Sequence, residues 1–136
     1  MAGLVLDASV MLAALLQEHN AGAAADLIDR VADERAAVPG HWHLEVGNGL
    51  LMSECRGAIS AVQRTAYIEQ LAALPIEPDA ETSVRAWRDS MRFAETHRLT
   101  LYDAAYLELS IRLALPLATF DAALRRAAAA AGVTLL

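Results

Sequence analysis

Three apolar residues, Leu4-Val5-Leu6, run straight into Asp7, and a helix-forming stretch follows at once. Leu117-Ala118-Thr119 runs in the same way through Phe120 into Asp121 and another helical stretch. Between them, short segments at Ala36-Ala37-Val38 and Pro75-Ile76-Glu77-Pro78 alternate with longer helical patterns. Strands this short and apolar, separated by helices, predict an α/β fold whose parallel sheet carries helices on both faces. About four or five strands are expected, with Gly132-Val133-Thr134-Leu135 as the last, and the crossovers should be right-handed. A chain of 136 residues is long enough for one core and too short for two, so residues 1–136 read as a single domain.

The helical stretches differ in pattern. Val10–Leu16 is apolar on most faces and reads as buried, whereas Ala23–Val31 keeps Leu27, Ile28 and Val31 on one side. Trp42–Cys55 is stopped by Gly57, and Ser60–Leu74 follows. Asp79 is placed to cap a helix running through Val84, Trp87, Met91 and Phe93 to His97, with Trp87 and Met91 at core spacing. Cys55 shares a side with Leu44 and Leu51, which predicts burial.

Composition narrows the function classes. No apolar run reaches the roughly 20 residues of a membrane span, and Asp7 interrupts the apolar start. One cysteine excludes an intrachain disulfide and predicts a reducing, cytoplasmic setting. The net charge of −6 is not that of a domain holding nucleic acid by charge alone. No lysine is present, so the fixed cations are all arginines, which fork onto phosphates.

The acidic residues have two readings. Asp7, Asp79 and Asp121 precede helices, Asp103 follows Thr100 at capping-box spacing, and Glu45 suits an exposed helix surface. Taken singly, each is explained as a cap or surface group. Taken together, strands ending at Asp7 and Asp121 would deliver both carboxylates to one edge of a parallel sheet, and Asp103 starts a helix that can aim there. Glu45 shares a helical face with Asn48 and Gly49, the glycine leaving room beside the carboxylate. Ser9 and Thr119 each stand two residues from an aspartate and can support it. Four carboxylates crowded together need a cation, and oxygen-only ligands suit Mg²⁺ or Mn²⁺ better than zinc. One ion, or two about 4 Å apart, would activate water against a phosphodiester.

The set Asp7-Ala8-Ser9, Leu44-Glu45-Val46 with Asn48, Tyr102-Asp103-Ala104-Ala105-Tyr106 and Ala118-Thr119-Phe120-Asp121 resembles the motifs of PIN domains. More narrowly it is similar to VapC-type toxins of bacterial type II toxin–antitoxin pairs. The resemblance covers the whole chain and implies an Mg²⁺-dependent endoribonuclease with Asp7, Glu45, Asp103 and Asp121 as catalytic metal ligands. It implies supporting roles for Ser9, Thr119 and Asn48, a homodimer, and a VapB-type antitoxin whose tail blocks the site. Arg56, on the face of Glu45, is the arginine singled out for RNA.

The sequence also admits rival readings. His41 and Glu45 share a helical face, but no third zinc ligand joins them. A haloacid-dehalogenase-like phosphoryl-transfer enzyme would have an aspartate where Ser9 stands, and a receiver domain would need a lysine. No phosphate-binding Gly-x-x-x-x-Gly-Lys loop is present. A PIN-like binding module without catalysis is the non-enzyme alternative.

Overall fold

The computed structural model describes residues 1–136. The chain opens with β1 (Leu4–Leu6), α1 (Ala8–Leu15) and α2 (Ala21–Glu34). Next come β2 (Ala36–Val38), α3 (Trp42–Cys55), α4 (Ala61–Ala72) and β3 (Ile76–Pro78). The short α5 (Thr82–Arg85) passes through a π-helical turn, Ala86–Ser90, into α6 (Met91–His97). The chain ends with α7 (Leu101–Leu113), β4 (Leu117–Ala118) and α8 (Ala122–Ala130).

The four strands form one parallel sheet in the order β3-β2-β1-β4, flanked by helices. Leu4 pairs with Ala36, and Val5 with both Ala37 and Leu117, so β1 lies inside the sheet. Its three side chains are fully buried, as their uniform apolarity predicts. From β1 the order runs outward through β2 to β3, and β4 then returns to the opposite side of β1. The reversal falls between β1 and β4, where open α/β sheets form a crevice at the carboxyl ends of the strands.

α7 packs against β1 and β4 and is buried continuously from Ala104 to Ser110. α1 packs against α2 and α3. Gly49 serves this second contact: a Cβ there would come within 2.6 Å of Leu12, so the space read as room beside Glu45 is taken by the Leu12 side chain. Ser60 caps α4 with a full capping box closed by Gln63, and Gly57 leaves α3 at φ +78°, a conformation glycine adopts without strain.

Other expectations are corrected. Trp87 is 86% exposed, and Val84 and Met91 also face outward. The π turn adds a residue to the helical repeat and rotates the stretch by about 100°, which buries Ser90 instead. Cys55, Leu44 and Leu51 are exposed, because α3 turns Trp42, Val46, Leu50 and Ser53 inward. Residues 132–135 make a single bridge, Leu117 to Leu135, rather than a fifth strand.

Asp79 does not cap a helix end. Burial favours its neutral form, but hydrogen bonds from Arg112 and Thr82 outweigh this and hold its carboxyl below the ordinary range. Arg112 donates to Asp79 Oδ2 at 2.7 Å and, one turn away on α7, to Glu108 Oε1 at 2.7 Å. This network ties α7 to the connection after β3.

Candidate active site

The carboxyl ends of β1 and β4 are level, since the Asp7 N–H donates to the Ala118 carbonyl at 2.9 Å. Asp7 occupies the N-cap position of α1 with extended backbone, yet its side chain accepts no bond from the helix. It is buried, and its Oδ2 accepts from the hydroxyls of Ser9 and Thr119, both at 2.6 Å. The capping explanation fails for this residue. Ser9 Oγ in turn accepts the Phe120 N–H, and Thr119 Oγ1 accepts the Asp121 N–H, so the two hydroxyls stitch α1 to the segment after β4.

Asp121 does cap: its Oδ2 accepts the Leu124 N–H at 2.8 Å, leaving the other oxygen clear of that bond. Asp103 lies in the first turn of α7, where its N–H bonds the Thr100 hydroxyl and its carboxylate is not used as the cap. Glu45, in the first turn of α3, accepts from the buried Tyr106 hydroxyl at 2.6 Å. Tyr106 Oη also accepts the Ala8 N–H at 3.4 Å. His41 Nε2 stands 3.1 Å from the same Glu45 oxygen, although the bond is not aligned.

Electrostatics tie these groups together. Burial pushes the Asp7 carboxyl up, against the pull of the two hydroxyls, and the charges of Glu45 and Asp121 push the same way. Asp103 is pushed up to about 6, by burial first and then by Asp121, Asp7 and Glu45. Burial and the charges of Asp7 and Glu45 also raise the Tyr106 phenol, which stays a proton donor. The four acids therefore share one negative field. In this arrangement no three His, Cys, Asp or Glu side chains stand close enough together to hold one metal ion. The donor chemistry suits an oxygen-seeking divalent ion, since a cation would relieve the repulsion that adds to burial in raising Asp7 and Asp103.

The remaining sequence candidates lie apart. Asn48 is exposed on α3 and makes none of the site's hydrogen bonds. Arg56 caps the far end of α3, about 16 Å along the axis from Glu45, and donates to Ser53 Oγ at 3.1 Å. Sequence reasoning gave no role to Tyr106. The signal available was a tyrosine one turn beyond Asp103 in a stretch buried on every face.

Thr119→Val should lower stability by about 1–3 kcal/mol, the cost of leaving buried polar groups short of partners. Both Asp7 Oδ2 and the Asp121 N–H lose a bond in this variant. Urea unfolding measures it, and an unchanged midpoint would mean that the shared hydroxyl contributes nothing.

Residues 4–130 match the family model of the PIN domain, and the chain belongs to that family. The fold is similar to the crystal structure of PAE2754 from Pyrobaculum aerophilum, with a TM-score of 0.71 and 20% identity. That match covers 98% of this chain and 83% of the other. No curated protein matches. PIN domains are generally nucleases, so the family supports a nuclease fold.

Proposed function

We propose that this chain is an Mg²⁺- or Mn²⁺-dependent endoribonuclease that hydrolyses RNA phosphodiester bonds and acts as the toxin of a toxin–antitoxin pair. The observation that carries the nuclease reading is the grouping of Asp7, Glu45, Asp103 and Asp121 at the β1–β4 crevice, where burial first and the neighbouring charges second push Asp103 up to about 6. Those four residues would hold the ion, their carboxylates closing on it from positions in which no three of them share one. When bound, the ion supplies an activated water and charge for the leaving oxygen. Ser9 and Thr119 fix the orientation of Asp7, and the Leu124 N–H fixes that of Asp121.

The toxin role, a VapB-type antitoxin and a homodimer are supported by the likeness of the ordered motifs to VapC-type proteins. That no helix is long and apolar enough to cross a membrane is compatible with such a role.

The test is cleavage of a labelled RNA panel with Mg²⁺ or Mn²⁺, comparing native protein with Asp7→Asn. Activity is expected in the native protein and should vanish with EDTA. It should fall on the order of 10²–10³-fold in the variant, the loss expected for one electrostatic group acting on a transition state. Equal activity in both proteins would overturn the assignment. Expression of the chain alone should arrest growth, and normal growth at high expression would refute the toxin role.

A further inference from the structure

We infer that Tyr106 is a positioning residue, which fixes the oxygen of Glu45 left free to ligate a divalent ion. The inference rests on the metal-dependent reading above and adds a residue to it. Tyr106 is completely buried in α7, and its hydroxyl donates to Glu45 Oε1 at 2.6 Å. The same hydroxyl accepts the N–H of Ala8, the residue after Asp7. One phenol thus links the start of α1 to α3, the elements that carry Asp7 and Glu45.

His41 reinforces the arrangement by contact. Its ring stands edge-on to Tyr106 at 5.6 Å and 79°, and to Tyr102 at 5.7 Å and 65°. Its Nε2 stands 3.1 Å from Glu45 Oε1 without an aligned hydrogen bond. Glu45 Oε1 is therefore committed to the Tyr106 hydroxyl, and Oε2 remains.

The pattern recurs on two of the other acids. Asp7 commits Oδ2 to Ser9 and Thr119, and Asp121 commits Oδ2 to the Leu124 N–H. Three carboxylates each keep one oxygen clear of these bonds, which favours single-oxygen ligation. Mg²⁺ and Mn²⁺ accept such ligands in compact octahedral shells, whereas Ca²⁺ takes larger shells that often include bidentate carboxylates. For Asp7 and Asp121 the donors lie within the adjoining chain or on the neighbouring β4 segment. For Glu45 the donor comes from a separate helix, and its oxygen can be deleted without altering any charge.

A buried tyrosine can also be explained as packing with a satisfied hydroxyl. The two roles differ in what Tyr106→Phe changes. A packing role lowers the stability of the metal-free protein and leaves metal affinity alone. A positioning role weakens metal binding, and only while Glu45 can reach the phenol.

Titration calorimetry with MnCl₂ on the full chain separates them, using native protein, Tyr106→Phe, Glu45→Asp and the double variant. Glu45→Asp keeps the charge but retracts the carboxylate from the phenol. Tyr106→Phe is expected to weaken Mn²⁺ binding about 10–100-fold, the loss usual for groups that orient a metal ligand. In the Glu45→Asp background the same change is expected to add nothing. Urea midpoints without metal report any packing effect separately. Native-like Mn²⁺ affinity in Tyr106→Phe would overturn the positioning role while leaving the metal reading intact. An equal loss in both backgrounds would also overturn it, because the effect would not pass through Glu45. Native protein that takes up no Mn²⁺ would overturn the metal reading and this inference with it.

Discussion

Saturating Mn²⁺ is expected to raise the melting temperature of the protein by roughly 10 °C, and Asp103→Asn to abolish most of that rise. The same variant, without metal, is expected to melt above the native protein. Both effects have one cause. Asp103 stands half-buried in the field of Asp121, Asp7 and Glu45, which disfavours its charge. A cation bound only by the folded state stabilises by about 2.7 kcal/mol at a hundredfold excess over its Kd. For a domain this size each kcal/mol moves the midpoint by about 3–5 °C. Neutral asparagine removes the repulsion without disturbing the cap, because the bond to Thr100 is made by the backbone N–H. Solvent screens a half-exposed group, so the gain without metal is about 1 kcal/mol, or about 3–5 °C. Differential scanning calorimetry with EDTA and then with MnCl₂ reads both quantities. A native midpoint that ignores Mn²⁺ would sink the metal reading. An Asp103→Asn midpoint below native in EDTA would mean that the carboxylate supports the fold rather than straining it.

The legible part of this site followed from local chain chemistry. A short apolar strand that runs on into an aspartate declares the edge where the carboxylate emerges, so Asp7 and Asp121 could be read from neighbouring residues alone. Ser9 and Thr119 were legible for the same reason, lying two residues from the acids they serve. Tyr106 bonds Glu45 across 61 positions, and Arg112 bonds Asp79 across 33. No spacing rule connects such pairs, because tertiary packing brings them together. Trp87 and Met91 were misread for a different reason. Their spacing was helical, but the π turn changes the angle per residue within that stretch, and periodicity assumes a constant one. Cys55 shows a related limit: a mixed helix carries apolar groups on two faces, and only the neighbouring elements decide which face is covered.

Arg112→Met is expected to destabilise the fold by about 3–5 kcal/mol, the cost of stranding a buried charge. The Arg112 guanidinium is held charged by Glu108 first and then by Asp79, and it also reaches Glu81 at 3.2 Å. Glu108 is buried, and Arg112 Nε and Nη2 grip both its oxygens at 2.7 and 3.2 Å. Arg85 cannot replace that partner as it stands, since its Nε lies 3.6 Å from Glu108 without forming a hydrogen bond. Adding Glu108→Gln to Arg112→Met should recover much of the loss, because the stranded charge is then gone. Urea unfolding at pH 7 gives both values, and a cost below about 1 kcal/mol, the range of exposed pairs, would show the network to be solvated. The acid limb supplies an independent check. Asp79 is held below its ordinary value of 3.8, so its ionised form favours the folded state. Its contribution is complete above the unfolded value and is lost as pH falls through the lower folded one. Native stability should therefore drop below about pH 4, and Asp79→Asn should show a shallower slope across that window. A slope identical to native would mean that Arg112 and Thr82 do not favour the ionised form.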